Sequence, residues 1–445
     1  MNLPSALLAL LLAAPVCGVD ADDRVDLTSP IERNLPPERN AYIIWREVVP
    51  KFHSPEDENV AKALHDFTRF TESIPLDEVR QKLAAWLDSM EPNLDRLYEG
   101  LALGACEFPE SNLSVYAFSF PAFRRAWEAQ LLRARFQSEK GLYAQAVETL
   151  AKGLRFADLN SSAGGDIIHW YIGVASRNHL QRGVRWIAMQ DSASGAIPAL
   201  LAALSGLFDD AAVRRSVAAE WTNYVLPDLN DVISGLATNQ LFQGADGARL
   251  LNRAACTNLL VEMGEAVIEN TRLTWAKQEP FLPDTIRTLC PMQDVDKIRD
   301  ITRDASLNEK WFWNADTVTK VINLGQAREN GVGLILVAIY APERESTPRL
   351  YFSGRTETSL TRAYLLLRAH QLRAKEWPAQ LSDALPANPP PDVVLDYFSN
   401  QPLRYSRERR LLWSVGPDGT DNDGDPAKDV VLDLANPVKI SKPQP

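Results

Sequence analysis

The clearest hydrophobic pattern in the chain lies between residues 120 and 157. Apolar side chains recur there at steps of three and four residues, the spacing that places them on one face of an α-helix. The first stripe consists of Phe120, Phe123, Trp127, Leu131 and Ala134, and the second of Leu142, Ala146, Leu150 and Leu154. Gly141 interrupts the pattern between the two stripes. Two amphipathic helices joined by a short glycine turn predict an antiparallel helical hairpin.

The same helical spacing continues over much of the chain. Further amphipathic stripes occupy residues 79–87, 167–187, 197–208, 250–268 and 318–327. Residues 333–340 are continuously apolar, which predicts a buried helix or strand because the run is too short to cross a bilayer. We therefore expect a mainly α fold, in which residues 38–341 form helical hairpins in a bundle or an irregular superhelix.

The pattern changes after a polar, proline-containing segment at 341–353, which we take as a domain boundary. A helix is predicted at 358–375, and Trp377-Pro378 ends it. Two short β-like runs at 402–406 and 411–415 predict a hairpin, and 429–434 is a third strand candidate. We expect a small α+β domain at 354–436, followed by a tail at 437–445.

The N-terminus has the features of an export signal. Residues 7–16 are apolar, too few to span a bilayer as a helix, and small residues follow them. We predict a signal peptide at 1–18, with cleavage after Gly18 or Ala21, and a linker at 19–37. The mature protein would then be periplasmic or secreted, without a transmembrane span. Acylation of Cys17, which would make the protein a lipoprotein, is the alternative.

Composition limits the choice of partners. The chain has 445 residues, of which 45% are hydrophobic and 24% charged, and its formal net charge is −11. Because an acidic protein repels phosphate backbones, we expect no nucleic-acid binding. A protein or an envelope polymer is the expected partner. An exported protein can hold a disulfide, and Cys106, Cys256 and Cys290 allow three alternative pairings or three buried thiols.

No catalytic motif stands out in the sequence. The histidines are His53, His65, His169, His179 and His370, and none has metalloprotease or zinc-site spacing. Neither a nucleophile elbow nor a phosphate-binding glycine loop is present. Glu107 and Glu110 could form an acid–base pair of a glycosidase. Trp311, Phe312 and Trp313 could line a carbohydrate or peptide groove, or simply pack in the core.

An acidic loop at residues 416–429 is the one candidate metal site. Its aspartates are Asp418, Asp421, Asp423, Asp425 and Asp429. Calcium prefers six to eight oxygen ligands, and carboxylates this close together would repel one another without a cation. No register of the loop satisfies the EF-hand template. A solvated acidic turn is the alternative, since Asp, Asn and Gly are common turn residues.

The last 80 or so residues resemble the globular part of the major pseudopilin of type II secretion. The matching motifs are Asp396-Tyr397-Phe398-Ser399-Asn400-Gln401-Pro402 before the hairpin and Trp413-Ser414-Val415-Gly416-Pro417-Asp418-Gly419 at the loop. In that family the corresponding loop carries a structural calcium ion. The resemblance implies calcium here, with Asp418, Asp425 and Asp429 as ligands and Asp421 or Asp423 as a further one. The polymerising N-terminal helix of pseudopilins is absent, so the chain is more similar to large exported bacterial proteins that carry such a tail.

A second resemblance concerns the hairpin at 120–157, which is similar to one tetratricopeptide repeat. The matching residues are Ala134, Gly141, Tyr143, Ala146, Val147 and Leu150. A single copy does not make a solenoid, which needs about three repeats.

Three functional hypotheses follow. The first is an exported envelope protein that binds or scaffolds a partner without catalysis, which fits the helical hairpins and the absence of catalytic motifs. The second is an exported enzyme on a helical scaffold, such as a polysaccharide hydrolase or lyase. The third, suggested by the C-terminal resemblance alone, is an accessory factor of a secretion or pilus machine.

Overall fold

The computed structural model describes residues 27, 34–70, 77–108, 120–207, 210–238, 245–278, 319, 323, 329–340, 346–390 and 392–443. This part of the chain is mainly α-helical with small antiparallel sheets near its C-terminal end, which confirms the predicted fold class. The α-helices are α1 (Ala41–Val48), α2 (Glu58–Thr68), α3 (Asp77–Ala102), α4 (Phe120–Glu139), α5 (Tyr143–Ser162), α6 (Ile167–Met189), α7 (Ile197–Ala203), α8 (Asp210–Glu220), α9 (Leu226–Thr238), α10 (Ala245–Leu250), α11 (Arg253–Asn270), α12 (Gly331–Tyr340) and α13 (Ser346–Ala374). None of the described helices combines the length and the apolar character needed to cross a membrane.

The predicted hairpin consists of α4 and α5. Gly141 has φ +74° and ends α4 in the left-handed region, which glycine adopts without steric cost. The amide of Gly141 donates to the carbonyl of Ser138 at 2.9 Å, and the amide of Leu142 donates to the carbonyl of Gln137 at 2.8 Å. These two bonds form a Schellman motif, which satisfies the last carbonyls of the helix and reverses the chain. The hairpin is therefore confirmed.

Helix α6 returns along α5, and the contact between them is the most extensive of the described helix pairs. Asp166 caps its N-terminus by accepting from the amide of His169 at 3.0 Å. Gly173 allows the close approach, because a Cβ there would lie 2.8 Å from the carbonyl oxygen of Ala157 and 2.5 Å from Cβ of Ser161. A larger residue at 173 would force the two helices apart.

Three other segments that were predicted from their apolar patterns can be compared with the structure. The apolar run at 333–340, left open between helix and strand, belongs to helix α12. The stripe at 197–208 supports a shorter helix, since α7 ends at Ala203. The stripe at 318–327 lies outside the described residues, apart from 319 and 323.

The last long helix begins earlier than the sequence indicated. We predicted a helix at 358–375, but α13 begins at Ser346, inside the segment taken as a domain boundary. Pro348 lies in the first turn, where a missing N–H leaves no intrahelical bond unmade. Tyr351 and Phe352 are buried, so the added turns pack against the rest of the protein. The proline therefore lies at the start of the helix, and the domain division stays a prediction.

The C-terminal strands follow α13. Antiparallel β3 (Arg404–Ser406) and β4 (Leu411–Ser414) form the predicted hairpin, and β5 (Val430–Asp433) pairs with β4 as the third strand. Two features were not predicted. Strands β1 (Leu395–Asp396) and β2 (Gln401–Pro402) form a separate pair, and β6 (Ile440–Ser441) pairs with β5 within the segment assigned to a tail.

Helix α13 also packs along α6, through polar side chains that are buried on both helices. Gln181 donates to the hydroxyl of Thr358 at 2.8 Å and accepts from Thr361 at 2.9 Å. At the far end, Arg368 donates to the carbonyls of Ala188 at 3.0 Å and Met189 at 2.8 Å, the last carbonyls of α6. A cation is favourable at a helix C-terminus, so α13 caps the helix it packs against.

Arg185 of α6 joins the C-terminal segment to this helix pair. Its side chain is fully buried. Nε donates to the carbonyl of Pro437 at 2.7 Å and Nη2 to that of Val438 at 3.1 Å, while Nη1 donates to Thr361 at 2.6 Å. This arginine thereby places the residues that follow, including Lys442, against α6 and α13.

Candidate functional site

The acidic loop lies between β4 and β5, and arginines hold two of its five aspartates. Asp421 accepts from the indole nitrogen of Trp413 at 3.0 Å and pairs with Arg404 at 3.4 Å. Asp423 pairs with Arg409 at 2.7 Å. The pKa of Asp421 is lowered, because these bonds and Arg404 outweigh the opposing effect of burial. Both carboxylates already have cationic neighbours in this arrangement.

Two other aspartates meet at Asn422. Its Nδ2 donates to Asp418 at 3.1 Å and, at 3.4 Å, to Asp429. Asp429 is buried and also accepts from the amide of Gly424 at 2.7 Å. Burial raises the pKa of Asp429 above its ordinary value, and no described basic side chain forms an ion pair with it. A cation here would favour the ionised form.

The fifth aspartate, Asp425, accepts from the amide of Ala427 at 3.0 Å and is exposed. Within the described ranges, no group of three or more His, Cys, Asp or Glu side chains is arranged to hold a metal ion. The structure thus brings Asp418 and Asp429 together and turns Asp421 and Asp423 toward arginines. Calcium binding by these five residues stays a prediction.

The loop also contacts the helical region. Trp275, which follows α11, donates its indole N–H to the carbonyl of Pro417 at 2.8 Å. Its ring meets those of Phe352 and Phe398 edge-on, with centroids 5.5 Å and 5.1 Å away. The start of the loop is therefore tied both to α13 and to the turn after β1.

The remaining sequence candidates do not assemble into a site in the described part of the chain. The histidines each contact a different partner: His53 the carbonyl of Ser54, His65 Glu128, His169 Asp166, His179 the ring of Trp127 and His370 the carbonyl of Asp383. Glu107 accepts from the amide of Leu35 at 2.8 Å. Cys106 and Cys256 are free thiols. Glu110, Cys290 and the aromatic patch at 311–313 lie outside the described residues.

The structure reveals a cleft that the sequence analysis did not predict, between α6, α13 and the start of α4. Its volume is about 480 Å³, within the range of about 300–1,000 Å³ that is usual for small-molecule sites. The lining residues are Phe120, Ile168, Tyr171, Ile172, Val174, Ala175, Asn178, His179, Arg182, Leu350, Glu357 and Lys442. Most are apolar, and we call this space the α6–α13 cleft.

Helical spacing explains how one helix supplies most of the wall. Ile168, Tyr171, Ala175, Asn178 and Arg182 follow at steps of three and four, so they share one face of α6. On α13, Leu350 and Glu357 are seven residues apart and face the same space. The apolar side chains near the opening are unusually exposed for their size, with Phe120 50% and Ile168 43% exposed. The cleft therefore offers apolar surface to solvent.

An ion pair between the buried carboxylate of Glu357 and Lys442, whose side chain is 40% exposed, forms the floor of the cleft. The Glu357 side chain is 3% exposed, and Lys442 Nζ lies 2.7 Å from its Oε2 while Arg185 Nη2 lies 3.7 Å from its Oε1. Burial raises the pKa of Glu357, but Lys442 and Arg185 outweigh it, so the pKa lies below its ordinary value. This carboxylate stays ionised at neutral pH and is a poor proton donor.

Two polar groups in the cleft lack partners among the described residues. Asn178 Oδ1 is buried and accepts no hydrogen bond. Arg182 lines the cleft and is attracted electrostatically by Glu357, but it makes no hydrogen bond or short ion pair with the described chain. Most buried polar groups in proteins are hydrogen-bonded, so Asn178 Oδ1 calls for an explanation, whereas Arg182 is only partly buried and water can reach it.

His179 is the remaining ionisable group. Its ring stacks on that of Trp127, with centroids 5.4 Å apart and planes 14° from parallel. Burial, assisted by Arg182, lowers the pKa of His179 to about 3. A histidine with this pKa is neutral at physiological pH and a weak base. No serine or cysteine is among the described residues that line the cleft.

One sequence signal could have indicated this region. Residues 355–359 are polar in succession, in the middle of a long helix, and Thr356, Glu357, Thr358 and Ser359 are all buried. A run that is polar on every face is usually solvated. On α6, Arg177, Gln181 and Arg185 repeat at every fourth position and are buried too. Together the two patterns indicate a buried polar interface.

Comparison with known proteins adds no assignment, since no protein-family model, no curated protein and no solved structure matches this chain.

Proposed function

We propose that this protein is a non-catalytic binding protein of the cell envelope, exported by its N-terminal signal, and that the α6–α13 cleft holds a molecule with an apolar body. The observation that carries the proposal is the cleft itself. It is of ligand size and mostly apolar, and the exposed side chains of Phe120 and Ile168 at its opening can be covered by a bound molecule.

The polar groups of the cleft support binding over catalysis. Glu357, the one carboxylate among the described residues that line it, is paired with Lys442 and Arg185. General acid–base catalysis needs a group whose pKa lies near the working pH. Neither Glu357 nor His179 meets that condition, because the pKa of each lies well away from neutrality. A protein or envelope polymer, the partner expected from the sequence, could present such an apolar group.

Binding of N-phenylnaphthylamine, an uncharged dye whose fluorescence rises in apolar surroundings, tests the proposal. The dye should bind the purified mature protein. Ala175→Phe, which places a ring inside the cleft, should weaken binding at least about tenfold. Ala144→Phe, which places the same ring on the exposed face of α5, should leave it unchanged. Absence of dye binding, or equal binding by both variants, would rule out the cleft as a binding site.

We also propose that calcium binds the acidic loop as a structural ion. The supporting observation is Asp429, a buried carboxylate without a basic partner in the described chain, joined through Asn422 to Asp418. Asp425 lies on the same loop, and Asp421 or Asp423 would have to leave an arginine to become a further ligand. The ion would offset repulsion among the carboxylates and stabilise the connection between β4 and β5.

A further inference from the structure

We propose that the α6–α13 cleft binds a small amphipathic carboxylate, an apolar chain or ring whose anionic end pairs with Arg182. This inference rests on the proposed function and names the class of ligand. Three properties of the cleft lead to it: the balance of charge at its floor, the unused donors of Arg182, and the apolar length between Arg182 and the opening.

The floor of the cleft carries an excess of positive charge. Glu357 contributes one negative charge, whereas Lys442, Arg185 and Arg182 contribute three positive ones, and Arg185 and Glu357 are buried. The whole chain, by contrast, has a net charge of −11. A local positive centre between low-dielectric walls attracts anions and repels cations. A ligand with a cationic end would have to approach two uncompensated positive charges.

Arg182 is the group that can receive the anion. Lys442 is 2.7 Å from Glu357, and Arg185 is committed to the carbonyls of Pro437 and Val438. Arg182 makes no hydrogen bond or short ion pair within the described chain, although it lines the same space. A guanidinium offers a planar pair of donors that matches a carboxylate. An uncharged ligand would cover this group without pairing it, which is unfavourable.

The remaining length of the cleft requires an apolar body. Ile168 and Arg182 are fourteen residues apart on α6, which corresponds to about 21 Å along the helix axis. Between them Tyr171, Ile172 and Ala175 face the cleft, and Phe120 and Leu350 face it from the other helices. A carboxylate at Arg182 would therefore direct the rest of the ligand along apolar side chains toward the opening. Each methylene buried there favours binding by the hydrophobic effect.

The test is displacement of N-phenylnaphthylamine by three ligands with the same ten-carbon chain: decanoate, decanol and decyltrimethylammonium. The two ionic ligands are used below their micelle-forming concentrations and decanol below its solubility limit. Decanoate should compete at least about tenfold better than the other two. Arg182→Met, which keeps the apolar stem and removes the charge, should reduce decanoate to the level of decanol. Arg182→Lys should retain part of the preference, and Arg46→Met, at an exposed site on α1, should retain all of it. Circular dichroism and the thermal midpoint verify that each variant is folded.

The outcomes separate this inference from the proposed function. One outcome is that the dye binds while decanol competes as well as decanoate, and another is that Arg182→Met keeps the preference for decanoate. In either case the cleft remains a binding site, but the inference that its ligand is a carboxylate paired with Arg182 is wrong. Preference for decyltrimethylammonium would also overturn the inference, because it would mean that Glu357 is the group that receives the ligand. If the dye does not bind at all, the proposed function fails first.

Discussion

Replacing Arg185 with methionine should release residues 437–443 from the helical region. The guanidinium is fully buried and donates to the carbonyl of Pro437 at 2.7 Å and to that of Val438 at 3.1 Å. Methionine preserves much of the apolar stem but donates no hydrogen bond. Both carbonyls would then have lost their donor in a buried position, which opposes docking of the segment.

The size of the effect follows from the two bonds. A hydrogen bond from a charged group contributes about 1.5–3 kcal/mol. At the lower value, losing both weakens the docking of the segment by about 3 kcal/mol. Since about 1.4 kcal/mol is a factor of ten in an equilibrium constant, the segment should open roughly a hundredfold more often. Lys442 belongs to this segment, so opening would also remove the ammonium group from Glu357.

Hydrogen exchange followed by mass spectrometry measures this opening directly. Peptides that contain β6 should exchange roughly a hundredfold faster in Arg185→Met than in the wild type, while peptides from α4 and α5 change much less. Arg177→Met is the matched control, because Arg177 is also buried on α6 but donates to Ser161 at 3.1 Å, on α5. Equal exchange of β6 in the two variants would refute the anchoring role of Arg185.

Three further predictions concern the loop, the cleft and the N-terminus. Excess calcium should raise the thermal midpoint of the full chain, by the equivalent of about 2.7 kcal/mol at a hundredfold excess over its dissociation constant. Asp418→Ala should abolish most of this gain, and Asp392→Ala, outside the loop, should preserve it. An unchanged midpoint of the wild-type protein would mean that the loop is a solvated turn without calcium. The pKa of His179 is lowered to about 3, so below about pH 6.5 the unfolded state binds a proton that the folded state does not. The free energy of unfolding should therefore decrease as the pH is lowered, by up to about 3 kcal/mol near pH 4. His179→Gln should flatten that part of the urea-unfolding pH profile, and an identical profile would contradict the assignment. N-terminal sequencing of protein from an envelope fraction should begin after Gly18 or Ala21, and an intact N-terminus would contradict export.

Local patterns predicted the elements that are stabilised locally. The α4–α5 hairpin follows from two apolar stripes and one glycine, and the strands β3, β4 and β5 follow from short β-like runs separated by turn residues. The start of α13 was missed because Pro348 suggested a boundary, although a proline is tolerated in the first helical turn. Tertiary packing of Tyr351 and Phe352 decided that region.

The cleft could not be predicted in the same way, because its parts are distant in sequence. Glu357 and Lys442 are 85 residues apart, and β6, which leads to Lys442, is a two-residue strand with no alternation to detect. Arg182 carries no motif, and only the packing of α6 against α13 makes it a lining residue. The polar run at 355–359 is unusual for the middle of a long helix, but its burial depends on Gln181 and Arg185 of another helix.

A crystal structure of the protein with decanoate that carries bromine on its terminal carbon shows directly whether the α6–α13 cleft binds a carboxylate ligand. Anomalous scattering locates the bromine atom without reference to the rest of the density. One strong peak is expected inside the α6–α13 cleft, along the apolar side chains between Arg182 and the opening, with the carboxylate within hydrogen-bond distance of Arg182. A fully occupied bromine elsewhere on the molecule with an empty cleft, or a chain bound with its carboxylate turned away from Arg182 toward solvent, would contradict this expectation.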